Sequence, residues 1–307
     1  MTHGRLQGVL SPVVTPFDGA LRPDSRRLVR HCRWLLGHNV GLAVFGTNSE
    51  ANSLSVAEKV QLLEDLVAAA LPAGRMMPGT GCCALPDSVE LTQHAVRLGC
   101  GGVLMLPPFY YKNVSDDGLF GSYAEIIERV GDSRLRVYLY HIPPIAQIPI
   151  SLKLIERLLK AYPGTIAGIK DSSGDWRNSS TLLQSFQSEG FDVFVGSESF
   201  LLAARRSGGA GCISATANVN PGPIAALAQN WTAEDADRKQ AELDAVRRIF
   251  QRYPMIAALK TAISVHSGLP EWAVVRPPLI ALDGAQRDSL MTELDGIGFA
   301  MPGLAHG

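Results

Sequence analysis

An excess of charge of either sign is missing from this chain. Its 28 lysines and arginines stand against 29 aspartates and glutamates over 307 residues, a formal net charge of -1. Without a basic field the sequence offers little to nucleic acid or to anionic lipid, so partners of both kinds are excluded from the expectation. Long apolar runs are missing as well. Charge, glycine or proline interrupts each one before it could span a bilayer, and the opening Met-Thr-His-Gly-Arg lacks the apolar core of a signal peptide. A cytoplasmic protein without a membrane partner is expected. Cysteine is scarce: Cys32, Cys82, Cys83, Cys100 and Cys212 contain no C-x-x-C pair, and their odd number builds no disulfide framework. They read as small core residues. No H-E-x-x-H motif or paired acidic motif is present to gather Glu50, His141, Asp171 and Glu198 around an ion, so neither a metal nor another cofactor is expected.

What is present is a repeated alternation. Apolar, β-branched runs that end in turn residues read as buried strands, and each is followed by apolar residues at three- and four-residue steps. The runs are Gly8 to Phe17, Gly41 to Gly46, Arg75 to Gly81, Gly102 to Leu106, Arg136 to Ile142, Thr165 to Lys170, Asp192 to Gly196 and Gly211 to Ala215. Helix signals stand between them. Ser55 with Glu58 makes a capping box before Val60, Leu62, Leu63 and Leu66, Gly131 closes a helix carrying Leu119, Tyr123, Ile126 and Ile127, and Ser151 caps one with Leu152, Ile155 and Leu158. Eight strands alternating with helices within residues 1–230 have the rhythm of a (β/α)8 barrel. An open doubly wound sheet is the competing arrangement, but no G-x-G-x-x-G follows the first strand to favour it. From Thr232 the strands stop, and residues 231–307 read as a helical region packed on the barrel, with helices near 232–252, 255–267 and 285–294.

In such a barrel the chemistry belongs to the residues that follow the strands. Here these are Thr47 to Glu50, the run Pro107 to Tyr111, Tyr140 with His141, Lys170 with Asp171, then Ser197 with Glu198, and Ser214 to Asn218. Lys170 is the unusual one. A charged lysine is costly to bury and relieves the cost by losing its proton, and a neutral amine is a nucleophile toward carbonyls. Tyr140 ends the neighbouring strand, about 4.8 Å away, so a phenol can exchange protons with whatever the amine attacks. His141 either contacts the distal part of a substrate or, by strand alternation, faces away from Tyr140. The glycine-rich run Arg205 to Gly211 precedes a strand, on the wrong side of a barrel to serve the site, and reads as a helix stop rather than a phosphate loop.

Four segments, GTNSE (46–50), PPFYY (107–111), YHIPP (140–144) and GIKDSSGD (168–175), in this order and spacing, resemble the dihydrodipicolinate synthase and N-acetylneuraminate lyase family. The likeness runs over nearly the whole chain. It implies a metal-free class I aldolase or lyase that needs no cofactor. Lys170 would form an imine with pyruvate or a related 2-oxo acid, Tyr140 would shuttle protons, and Thr47 would link it to a second tyrosine, Tyr110, reaching in from an adjoining subunit. The family further implies a homo-oligomer, a dimer of dimers. Backbone N–H groups at Thr47 and Asn48 would hold the substrate carboxylate, with His141, Ile145, Gly196 and Ile213 as further candidate substrate contacts. Two positions depart from the family pattern. Where the synthases read G-T-T-G-E this chain has Asn48 and Ser49, and where they carry an arginine for the carboxylate of aspartate semialdehyde it has Ile145. Losing a charge-assisted carboxylate contact costs about 1.5–3 kcal/mol. The expectation is therefore carbon–carbon bond chemistry or dehydration on a 2-oxo acid, with 4-hydroxy-tetrahydrodipicolinate synthesis and a non-catalytic 2-oxo-acid-binding protein as alternatives.

Overall fold

The computed structural model describes residues 5–304; the ends of the two spans named above, residues 1–4 and 305–307, lie outside the described residues. Seven strands are present among these residues: β1 (Gly8–Ser11), β2 (Gly41–Leu42), β3 (Val103–Met105), β4 (Val137–His141), β5 (Ile166–Asp171), β6 (Asp192–Val195) and β7 (Gly211–Ile213). By its internal contacts the chain forms two compact units. One holds Pro72–Cys212 together with the segment ending at Gln7; the other holds Gly8–Leu71 together with the segment beginning at Ile213.

In the first unit β3, β4, β5, β6 and β7 pair in that order, and every pairing is parallel. These strands are buried along nearly their whole length, which is why they read as continuous apolar runs rather than as alternating ones. The helices between them carry one apolar stripe each. Ser151 accepts a hydrogen bond from the Leu154 N–H to start Leu152–Ala161, and Leu154, Ile155 and Leu158 of that helix are buried, each such side chain contributing about 1.5–3 kcal/mol. The same Ser151 hydroxyl donates to Asp116 at 2.6 Å, tying its helix to the start of Asp116–Val130.

The expected third strand, Arg75 to Gly81, is reduced to a single parallel bridge between Gly79 and Leu104. Leu104 donates to the Pro78 carbonyl and Thr80 donates to the Leu104 carbonyl, but Pro78 has no N–H to continue the ladder and Ala73–Arg75 is already a 3-10 turn. The segment is present and its ladder is not.

In the second unit β1 and β2 are parallel. Both are shorter than their apolar runs: Pro12 follows β1 at once, and after β2 the chain turns through Phe45 in the left-handed region (φ 61). The Ser55 capping box opens Val56–Ala68 as expected. Beyond residue 231 the described residues form three longer helices, Ala236–Phe250, Met255–Ser267, which Gly268 terminates in a left-handed conformation, and Gly284–Asp295. None of the helices among the described residues is long and apolar enough to cross a membrane.

The helix Ser25–Gly37 carries His31 inside this unit, stacked on Trp34 (5.6 Å between centroids) and edge-on to Trp272 (5.2 Å). Burial pushes its imidazole down to about 4, with the Asn218 side chain pulling weakly the other way. The native state therefore keeps His31 neutral at pH values where the unfolded chain protonates it, and stability contributed above pH 6.5 is lost as pH falls toward 4. Replacing His31 with Phe should flatten the acid side of the stability curve by about 3 kcal/mol across that window. Urea titrations at intervals between pH 7 and pH 4 check this, and equal pH slopes for the two proteins would refute it.

Candidate active site

Tyr140 and Lys170 face each other as register partners on β4 and β5. Both are buried, at 3% and 2% exposure. The Lys170 Nζ lies 3.2 Å from the Tyr140 hydroxyl and 4.3 Å from the centre of its ring. Parallel pairing with no offset at this point puts the two side chains on the same face at the same height, which alternation along each strand then preserves.

The strand end that carries Lys170 is held from several sides. Ser172 donates its N–H to the His141 carbonyl and Gly196 donates to the Asp171 carbonyl, both at 2.7 Å. The Asp171 carboxylate, pointing away from the lysine by alternation, accepts from the Ser179 hydroxyl at 2.5 Å and from the Ser173 N–H at 3.0 Å. Gly196 must be glycine: a Cβ there would stand 2.2 Å from the Ser172 hydroxyl oxygen and 2.9 Å from the Asp171 carbonyl. This residue lets the chain after β6 close against the end of β5.

His141 takes the opposite side of β4 from Tyr140. Its Nδ1 accepts the Ile150 N–H at 3.1 Å, so the ring braces the segment that follows the strand. Burial holds it below the ordinary imidazole range, with the Asp171 charge acting in the other direction. Within that segment Ile145 lies in the short helix Pro143–Ala146 and is 61% exposed. The run after β3 is close by: Lys112 donates to the carbonyls of Phe109 and Ala146, stapling the two segments. Tyr110 and Tyr111 meet edge to face, 5.3 Å apart, and both stand largely in the open, Tyr110 at 74%.

In the second unit Thr47 and Asn48 form a 3-10 turn with Ser49. Ser49 fixes it locally, accepting from the Gly46 N–H at 3.1 Å, while its carbonyl takes the Thr15 hydroxyl at 2.7 Å. The turn is flanked by two residues in the left-handed region, Phe45 (φ 61) and Glu50 (φ 56). For side-chain-bearing residues this costs about 1–3 kcal/mol each and persists only where the surroundings enforce it. Ile213 is the last residue of β7 and is fully buried.

At Glu50 the enforcing partners are Lys260 and Arg276, neither of which the local sequence pattern singles out. Glu50 is buried, and its carboxylate takes the Lys260 ammonium on Oε1 at 2.6 Å and the Arg276 backbone N–H on Oε2 at 2.8 Å. Lys260 is fully buried in Met255–Ser267, its Nζ 4.5 Å from the centre of the Phe17 ring; the Arg276 guanidinium lies 4.7 Å from the same ring and reaches Glu58 and the Ser53 carbonyl. Burial pulls Lys260 down to about 8, against the pull of Glu50. Breaking such a pair by removing one partner costs about 3–5 kcal/mol. A lone lysine inside MIAALKTAISVHS is the signal that could have found it, by the reasoning that singled out Lys170.

Compared with known proteins, residues 5–296 match the dihydrodipicolinate synthetase family. An uncharacterized DapA-like lyase of Chloroflexus aurantiacus is 33% identical over 294 residues, covering 95% of this chain and 97% of that one. Among solved structures, the dihydrodipicolinate synthase of Agrobacterium tumefaciens superposes with a TM-score of 0.87 at 28% identity, over 94% of this chain and 99% of that one. YagE of E. coli, a member of the dihydrodipicolinic acid synthase family solved in complex with pyruvate, gives 0.86 at 26% identity, over 96% and 99%. The fold is accordingly the (β/α)8 barrel with a C-terminal helical extension, and the chain is a lyase belonging to the dihydrodipicolinate synthetase family.

Proposed function

We propose that this lyase works through a Schiff base between Lys170 and pyruvate or a related 2-oxo acid. The contact of a buried amine with a buried phenol, 3.2 Å apart on neighbouring strands, carries the reading. The amine attacks the C2 carbonyl, and the Tyr140 hydroxyl gives a proton to the carbinolamine oxygen, which leaves as water. The imine then withdraws electrons from C3, so that a proton, or a carbon–carbon or carbon–oxygen bond further along, can be broken or made there. The amine returns when water adds back. The pyruvate bound by the E. coli relative supports this substrate class.

Family resemblance supplies the remaining roles. Thr47 links Tyr140 to a second phenol, and backbone N–H groups at Thr47 and Asn48 hold the substrate carboxylate. The second phenol is Tyr110 of an adjoining copy. Its exposure in the single chain supports a homo-oligomer, since a pair of large aromatic rings left in the open is a surface that a second copy would cover. The exposed Ile145 offers no hydrogen bond to an anion, which favours a sugar-acid or hydroxy-oxo-acid aldolase or dehydratase of the cytoplasm over 4-hydroxy-tetrahydrodipicolinate synthesis. A protein that binds a 2-oxo acid without turning it over has no use for a proton carrier beside the lysine.

Borohydride added with pyruvate should fix the ligand on Lys170, found by peptide mass mapping, and Lys170→Ala should abolish both trapping and turnover; an unmodified Lys170 peptide would reject the mechanism. Tyr140→Phe should lower kcat by about 10²–10⁴-fold. In a turnover screen across short and long 2-oxo acids, aspartate semialdehyde should be a poor partner for pyruvate, and efficient condensation with it would overturn the argument from Ile145. Sedimentation equilibrium should give a mass well above the 32.9 kDa of one chain; a monomer would remove Tyr110 from the relay.

A further inference from the structure

The turn at Thr47–Ser49 is not shaped by its own sequence alone. Phe45 and Glu50, on either side, hold left-handed conformations that their side chains disfavour; within the turn the Gly46 carbonyl accepts from the Ser49 and Ala51 N–H groups, the Thr47 carbonyl from the Glu50 N–H, and the Ser49 hydroxyl from the Gly46 N–H. Glu50 belongs at once to this turn and to the next, Ala51–Ser53, so the direction of its side chain fixes where both lie. That side chain is fully buried and bound at both oxygens by groups more than two hundred residues further along the chain. Arg276 adds a second hold, taking the Ser53 carbonyl that closes the following turn and the Glu58 carboxylate of the capping box beyond it.

We propose that Lys260 and Arg276 are positioning residues for substrate binding: acting through Glu50 and Ser53, they set the backbone of the Thr47–Asn48 turn that receives the substrate carboxylate. The inference rests on the reading of that turn as the carboxylate cradle. Neither residue touches the substrate. Lys260 neutralises a carboxylate that the turn must bury, and Arg276 fastens the backbone on its far side. A cradle serves the bound 2-oxo acid and the transition state alike, so loosening it raises KM more than it lowers kcat.

The decisive variant is the double substitution E50Q/K260M. It removes both charges together and keeps the side-chain volumes, which a buried pair tolerates better than the loss of one partner. Two arms are read on the full chain. In the first, wild-type protein is trapped by borohydride with pyruvate and with methyl pyruvate, whose ester masks the charge. In the second, KM and kcat for pyruvate are measured for the double variant and for Arg276→Gln, whose partly exposed side chain can be lost without leaving a buried charge. The expected result is a wild-type preference for pyruvate over the ester, a KM at least tenfold higher in the double variant with kcat changed much less, and a smaller KM rise in Arg276→Gln. If the wild type does not prefer pyruvate, the cradle reading falls and the positioning role falls with it. If that preference is present while the variants keep KM within twofold of wild type at reduced thermal stability, the network is structural only and the positioning role alone is overturned. Should the double variant fail to fold, Arg276→Gln decides by the same criterion.

Discussion

A primary amine in the interior of a protein is tolerated only when its surroundings replace what water gave it, and the placement of Lys170 depends on how that is done. Its partner is a phenol rather than a carboxylate. A carboxylate at the same distance would add a full opposite charge, whereas a phenol is neutral and meets the nitrogen by a hydrogen bond alone. The parallel register of β4 and β5 brings this pair together, and the hydrogen bonds of Asp171 and the close approach at Gly196 keep the strand end from drifting.

The second unit treats a buried amine in the opposite way. Lys260 is given a full carboxylate, two aromatic contacts lie around the Phe17 ring, and the pair holds a strained turn in place. Lys170 and Lys260 are both interior but have different companions, a neutral phenol for the one and a carboxylate that neutralises it for the other. Burial alone does not separate the two.

Much of this was legible in the amino-acid order because the signals are local. The strand-end lysine, the tyrosine one strand earlier, the capping box at Ser55 and the helix stops at Gly131 and Gly268 each depend on a few neighbouring residues, and the structure has them where the pattern put them. The failures share a cause as well. Arg75 to Gly81 looked like a strand by composition, but Pro78 removes a donor the ladder needs, and whether the neighbouring segment compensates is not written in the run itself. Phe45 in the left-handed region ends the second strand early, and what holds Glu50 in the same region comes from Lys260 and Arg276, far along the chain. The position of Ile145 on an open surface and the use of His141 as a brace likewise depend on where the segment after β4 folds, which neighbouring sequence leaves open.

Strand β4 assigns adjacent residues to unrelated tasks, Tyr140 toward the amine and His141 toward Ile150. Because successive side chains on a strand point to opposite faces, the two assignments share one parity. Inserting or deleting a single residue within Val137–His141 would exchange them, aiming the imidazole at the lysine and the phenol at the loop. Such a change would undo the phenol–amine contact and the anchoring of the loop in one step, whereas the segment between Ile142 and Ile150 can vary in length as long as one N–H still arrives at the histidine. Diversity in what such a barrel accepts can thus accumulate downstream of the strand, while the strand itself is held to a fixed count.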